Sequence, residues 1–287
     1  VYKRQEQSGT RSTGWGTMTE STDIEPTHTT NFDLKNGFPY WLIVMLGIIG
    51  WMVVQIITND AYREAFNEIR PGLRLTLIVT AGSFLASMVL GLGLGLARLS
   101  RNRVIETMAR VYIEFVRGMP MLVWLFVIAL VLTVDVVDFI NWVFQSDIKA
   151  RSVSFAWRGS IALSLFYAAF LAEVFRAGIQ SVASGQKEAG RALGLTQHQI
   201  MRSITIPQAF RNTLPAIGND LIALMKDTSL ISVIAAAELT YRARIYSGST
   251  FRFREAFFVL AVFYVALTVL LSLLLQLWEK KLKVPGR

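Results

Sequence analysis

Long apolar runs separated by short polar links organise this chain. Six stretches, 40–57, 75–99, 111–137, 154–179, 215–239 and 256–277, each hold about 20 mostly apolar residues, the length a helix needs to cross a bilayer. The pattern predicts an all-α integral membrane protein with about six transmembrane helices. The first run stands apart, cut off by the charged segment NDAYREAFNEIRPG at 59–72, while the other five form a denser block. This predicts an N-terminal anchor helix with an external linker over 39–72, followed by a five-helix core over 73–287.

Residues 1–17 are a Gly, Ser, Thr and Arg mixture with no apolar periodicity, so 1–38 reads as a disordered cytoplasmic tail, with Met18 as a candidate native start. The first apolar run begins near Tyr40 and is followed by no small-residue cleavage pattern, so no cleavable signal peptide is expected. Basic residues in the links orient the spans. Arg98, Arg101, Arg103 and Arg110 follow the second run, Lys187, Arg191, Arg202 and Arg211 lie in 181–215, and Lys280, Lys281 and Lys283 close the chain. By parity these three groups share one side, the cytoplasm, with both termini. Arg242, Arg244, Arg252 and Arg254 fall on the other side, against the rule, and three segments outweigh one.

Composition agrees with this class. Of 287 residues, 53% are hydrophobic and 17% charged. With a mean hydropathy of +0.44, the chain has too little polar surface for an ordinary soluble globule. It has no cysteine and two histidines, His28 and His198, so thiolate chemistry, disulfides and a His-rich metal site are excluded. The net charge of +9 could suggest nucleic acid, but in so apolar a chain basic loops facing anionic lipid account for it.

Between the fourth and fifth runs lies a long polar and amphipathic stretch, 181–215. Residues 185–193 favour a helix, with Glu188 placed in its first turn, where the helix dipole favours a carboxylate, and Gly194 as its stop. Thr196 and Gln199 then form a capping-box pattern for a second helix through Ile200, Ile204 and Phe210, interrupted by Pro207. Two short helices at an angle on the cytoplasmic side are shaped to dock into a partner or, failing that, to cap their own bundle.

EAGRALGLTQHQIMRSITIP, 188–207, resembles the EAA loop of permease subunits of ATP-binding-cassette (ABC) importers: Glu188-Ala189-Gly190, three residues, Gly194, nine residues, then Ile204-x-Ile206-Pro207. Gly190 stands where that motif has its second alanine, and Ile206 where it usually has leucine. EFVRGMPMLVWLF (114–126), AAFLAEVFRAGI (168–179) and LIALMKDTSLISVIAAAEL (221–239) are similar to the polar amino-acid branch, the histidine/glutamine/arginine type. The resemblance covers roughly residues 70–280. It implies a type I ABC importer fold, five core helices plus the extra one here, in the bacterial inner membrane. It also implies a second permease subunit, identical or sister, an ATPase that binds ATP and Mg, and an extracytoplasmic solute-binding protein that delivers a polar amino acid. Carried over residue by residue, it sets Glu188, Ala189, Gly190, Gly194, Ile204 and Pro207 at the ATPase-coupling contact.

The chain carries no phosphate loop of the G-x-x-x-x-G-K-[ST] type, and GSTFRFRE near Gly248 lacks its paired glycines and lysine. No cofactor is therefore expected here, and hydrolysis belongs to a separate subunit. GLGLGLARL, 91–99, lies inside an apolar run without a preceding strand, so its glycines are read as helix-packing positions. Ionisable groups inside spans are costly and mark pathways by default. Lys226, Asp227, Thr228 and Ser229, near the middle of the fifth run, and Glu173 in the fourth are the substrate-pathway candidates. Lys226 and Asp227 offer complementary charges to a zwitterion; pairing between helices or snorkelling is their alternative. Glu114 and Arg117 read as a structural i,i+3 pair. Trp41, Trp51, Trp124, Trp142, Trp157 and Trp278 fall near run ends, as an interfacial belt does. An ion-driven secondary transporter would show repeated halves, and none is visible; a membrane enzyme would need a convergent acid, base or nucleophile set, and no motif assembles one.

Overall fold

A computed structural model describes residues 40–282, with side chains over 43–279. The expected tail and Met18 start lie outside the described residues. The helical bundle belongs to one compact unit that begins at Leu46.

The described secondary structure is helical throughout. Helix α1 (Tyr40–Thr58) bends by 102° into α2 (Asp60–Ile69) at Asn59, whose side chain caps α2 by accepting from the Ala61 amide. The charged linker expected at 59–72 is thus an amphipathic helix, with Tyr62, Ala65 and Ile69 turned into the protein. There follow α3 (Gly72–Arg98), α4 (Arg103–Arg117), α5 (Met121–Phe126), a wide π turn over Val127–Leu132, α6 (Thr133–Phe144) and α7 (Phe155–Gln180). After these come α8 (Ser184–Ala192), α9 (Gln197–Ile200), α10 (Ile206–Asp227), α11 (Leu239–Thr250) and α12 (Phe253–Leu282).

Four helical stretches are long and apolar enough to cross a membrane, Gly72–Arg98, Met121–Phe144, Phe155–Gln180 and Phe253–Glu279, and the bent pair α1–α2 makes a fifth candidate. Two expected spans are redrawn. The third starts after the Gly118–Pro120 break rather than at 111, because Pro120 lacks an amide and cannot continue α4. The fifth, expected over 215–239, is helical only to Asp227. It then tightens to a 3₁₀ segment, Thr228–Ile234, and turns at Ala235, which sits at φ 62°.

The core is built on α3 against α7. Ser83, Ser87, Gly91 and Gly95 recur every four residues on α3 and meet Ser160, Ser164, Ala168 and Ala172 at the same spacing on α7. Ser83 Oγ donates to the Ser160 carbonyl at 3.1 Å and Ser87 Oγ to the Ser164 carbonyl at 3.0 Å. Gly91 and Gly95 bring backbone to backbone: a Cβ on Gly95 would stand 2.8 Å from the Ala172 oxygen, whereas one on Gly93 would meet nothing. Helices in lipid associate through such small-residue seams, since apolar burial alone gains little there. The glycine-rich run is therefore a packing device.

Trp124, expected in the interfacial belt, is instead buried and donates its indole N–H to the Ala162 carbonyl at 2.9 Å. Trp142, Trp157 and Trp278 are exposed. Contacts also sort the two ends of the bundle. Arg98 closes α3 beside Glu106 and Glu173, near α8. Gly72 opens α3 against the Glu238 backbone, beside α2 and α11, at the opposite end.

Candidate functional site

Helix α8 begins at Ser184 with no side-chain cap and carries no acid in its first turn; Glu188 lies one turn further on than the sequence suggested. Its C-terminus is a Schellman turn. The Leu195 amide donates to the Gly190 carbonyl at 3.1 Å and the Gly194 amide to the Arg191 carbonyl at 2.9 Å, with Gly194 at φ +77°. Thr196 and Gln199 form the capping box: the Gln199 amide donates to Thr196 Oγ1 at 3.3 Å and the Thr196 amide to Gln199 Oε1 at 2.8 Å. Two helix ends are thus closed back to back within a few residues, which fixes the angle between α8 and α9.

Pro207 does not interrupt the second helix. A π turn over Met201–Thr205, in which the Ile206 amide donates to the Met201 carbonyl, widens the backbone just before it. The proline ring then enters as the second residue of α10, where its missing amide and bulk are accommodated. From Gln197 to Asp227 the chain is one helical run, so the loop's second helix and the fifth span are the same element.

Of the loop candidates, Gly190 is buried against Ile200 and Ile204, whose Cγ1 and Cδ1 atoms would lie 3.1 and 2.9 Å from an added Cβ. Ile204 is half-buried and Pro207 exposed. Glu188, Ala189, Gly194 and their neighbour Leu193 are exposed, Leu193 to 82%. α8 therefore seats one face on the Ile200/Ile204 pair and leaves open a face that mixes Glu188 and Arg191 with apolar Ala189 and Leu193.

The pathway candidates are dispersed. Lys226 and Asp227 close α10 rather than occupying the middle of a span, because the helix ends there. Lys226 is exposed, while Asp227 accepts the Tyr167 hydroxyl at 2.7 Å. Thr228 is buried and donates to the Met225 carbonyl, and Ser229 is half-buried. Glu173 is bound into an ion network at the α8 end: its Oε2 lies 2.6 Å from Arg176 and its Oε1 3.6 Å from Arg98, which also pairs with Glu106 at 2.7 Å. Glu114 and Arg117 form no ion pair with each other; Arg117 stacks over the Phe170 ring at 5.4 Å.

A cavity of about 490 Å³ opens between α7 and α10, lined by Arg117, Phe170, Glu173, Arg176, Asn212 and Asp220 among others. Asp220 Oδ2 is buried without a hydrogen-bond partner. Cationic, anionic and amide groups thus face one open space, roomy enough for an amino acid with water around it. Arg117, Asn212 and Asp220 were not among the pathway candidates drawn from the sequence. Asp220 carried the one available signal, a lone carboxylate inside an apolar run, as Asp227 did. His198 is exposed on α9, and no group of His, Cys, Asp and Glu that could hold a metal occurs among the described residues.

Residues 87–284 match the protein family described as binding-protein-dependent transport system inner membrane component. The chain is 34% identical over 224 residues to the Probable amino-acid permease protein YxeN of Bacillus subtilis, covering 78% of this chain and 95% of that protein. It is 32% identical over 213 residues to the Glutamine transport system permease protein GlnP of Escherichia coli, covering 74% and 92%. Among solved structures, an amino acid ABC transporter crystallised with histidines superposes with a TM-score of 0.66 at 35% identity, over 76% of this chain and 95% of that one.

Proposed function

The chain belongs to the family of binding-protein-dependent transport system inner membrane components, and from that membership we propose that it is the permease subunit through which a polar amino acid crosses the inner membrane. It is a transport subunit and not an enzyme; in this family ATP is hydrolysed by a separate ATPase. It is a multi-pass inner-membrane protein.

The ATPase, with its ATP and Mg, docks on α8 through Glu188, Ala189 and Leu193, while Gly190, Gly194, Ile204 and Pro207 set the helix angles behind that face. What supports this is the exposed face itself, held rigid by a Schellman turn and a capping box. α8 then lies on the cytoplasmic side with both termini, and α2 and α11 lie outside, where a solute-binding protein delivers cargo. A second permease subunit completes the pathway. Closure of the ATPases moves α8, and the continuous run from Gln197 to Asp227 carries that movement into the bundle, shifting it between inward and outward states.

The cavity between α7 and α10 is the passage on this subunit. A zwitterion needs an anionic and a cationic partner in a site of low dielectric. Asp220 offers an unengaged carboxylate for the ammonium, and Arg117 a guanidinium for the carboxylate. Glu173, already held by two arginines, positions Arg176 at the cavity wall, while Lys226, Asp227, Thr228 and Ser229 stand outside its lining. The single observation that carries the functional reading is the family match over 87–284, joined to the α8 loop geometry.

The test is co-purification with the ATPase and binding protein of the same source, then uptake of labelled glutamine, arginine and histidine into proteoliposomes. ATP-dependent uptake of one of them is expected. Uptake driven by an ion gradient without the ATPase would refute the proposal.

A further inference from the structure

Four arginines, Arg242, Arg244, Arg252 and Arg254, sit at the end of the bundle opposite α8, where orientation rules leave basic residues unexplained. Two of them, Arg252 and Arg254, lie within Phe251-Arg252-Phe253-Arg254, the segment that turns out of α11 into the first residues of α12. Phe251 is 81% exposed and Phe253 51% exposed. Phe251 also takes φ 59°, a left-handed conformation that a bulky side chain adopts only at a cost. No packing explains that cost, since the ring is out in the open.

The turn is nonetheless tied down. The Arg252 amide donates to Thr250 Oγ1 at 3.3 Å, Thr250 Oγ1 donates to the Tyr246 carbonyl at 2.7 Å, and the Arg252 guanidinium pairs with Glu64 of α2. Beside it, a cavity of about 390 Å³ is lined by Glu64, Glu68, Tyr241, Arg242, Tyr246 and Thr250, and Arg242 Nε is buried there without a partner. An exposed aromatic on a rigid turn, with arginines around it and one buried arginine Nε left without a partner in a notch alongside, has the composition of an interface hot spot.

We propose that the Phe251–Arg254 turn, with the Arg242 notch beside it, is the docking knuckle for the solute-binding protein, engaging a carboxylate-bearing surface on that partner. The inference rests on the permease reading above. Arg252 is already paired with Glu64, and Glu64 and Glu68 line the notch, so the demand for acidic groups on a partner falls on Arg244 and Arg254, both exposed and in no ion pair among the described residues, while Phe251 supplies the apolar anchor. A bilayer is the poorer fit because, although phenylalanine and arginine at the start of α12 suit a headgroup region, lipid leaves the polar notch beside them and its buried Arg242 Nε unmatched.

The experiment uses the permease with its ATPase in lipid nanodiscs and titrates the binding protein of the same source, in saturating glutamine, arginine and histidine, reading ATPase stimulation. Phe251→Gly is the main variant, because glycine accepts the positive φ and folding is not penalised. Its half-saturating binding-protein concentration should rise about tenfold, with the maximal rate and ATPase retention unchanged. Phe251→Tyr should stay near wild type, and Arg254→Glu should shift in the same direction as Phe251→Gly. An unchanged half-saturation in both Phe251→Gly and Arg254→Glu overturns the proposal, as does a lowered maximal rate without a shift. A melting temperature lowered in nanodiscs but not in detergent, with half-saturation unchanged, would make the turn a bilayer anchor instead. Wild-type protein that no binding protein stimulates would overturn the permease reading itself, a result separate from the others.

Discussion

Gly93 and Gly95 sit two residues apart in the same apolar helix, and only one of them should tolerate a side chain. A Cβ on Gly95 falls 2.8 Å from the Ala172 carbonyl oxygen and 3.2 Å from Phe175 Cβ, while one on Gly93 finds open space. Neither atom facing Gly95 is the far end of a flexible chain, so α3 and α7 must part by roughly 0.6 Å to restore ordinary contact, loosening the whole seam. Overpacking of this kind costs about 1–3 kcal/mol, and the branched side chain introduced by Gly95→Val belongs at the upper end. Against it stands the gain of about 0.4 kcal/mol from replacing glycine within a helix. The net loss is about 2 kcal/mol for Gly95→Val, and a small gain for Gly93→Val.

Thermal unfolding in detergent, followed by helical circular dichroism, separates the two. At about 2–4 °C per kcal/mol for a chain of this size, Gly95→Val should melt about 4–8 °C below wild type and Gly93→Val at or slightly above it. If the two variants melt together, the α3–α7 seam is not a backbone contact and the account of the core fails.

Gly194→Asp forces a side chain into the left-handed region at a strain of about 1–2 kcal/mol and adds charge beside the exposed face of α8. Insertion should be intact and ATP-driven uptake impaired, with Gly194→Asn milder, and normal uptake by the Asp variant would count against α8 as the coupling element. Glu173→Gln leaves Arg98 and Arg176 facing each other across a partly buried site, for a loss of about 1–3 kcal/mol seen as a lower melting temperature; adding Arg98→Met should recover part of it. Asp220→Asn keeps the shape of the cavity wall and removes its free charge, so uptake should fall at least tenfold, by roughly 1.4 kcal/mol or more, with ATPase retention unchanged. Unchanged uptake would remove Asp220 from the passage.

Periodicity and caps were the most legible signals. The Gly194 stop and the Thr196–Gln199 box follow from local backbone chemistry that needs no tertiary partner, so a few neighbouring residues suffice to read them. The span ends were less legible because hydropathy averages over breaks: the Gly118–Pro120 interruption and the 3₁₀ turn after Asp227 both lie inside apolar windows. Pro207 misled for a different reason, since a π turn placed just before it lets the helix continue. The glycines of the α3–α7 seam are legible from the sequence as packing positions, whereas its serines, spaced by four on both helices, take their meaning from which helices meet. Buried polar groups were the hardest to assign. Arg158, inside α7, is 6% exposed and held by the Ala129, Ala150 and Val153 carbonyls, and Trp124 by Ala162, partners brought close only by the fold.

The misread proline bears directly on how a loop could move a membrane domain. Had α9 and α10 been separate helices, a push on α8 would have been absorbed at the joint between them. Instead the run from Gln197 to Asp227 would reach about 46 Å at 1.5 Å per residue, with its compliance confined to the π turn at Met201–Thr205 and to Pro215. Beyond Pro215 the helix is clamped on both sides: Gly218 packs on Leu275 of α12, and Ile217 on Phe175 of α7. Below it, Gly178 of α7 admits Thr213 so closely that no Cβ would fit. Asp220 lies within the clamped half, facing the cavity. A displacement entering at α8 would thus be concentrated at two defined bends before it reaches the wall that carries the free carboxylate, which is the geometry required for a partner's closure to change access to a site rather than merely deform a loop.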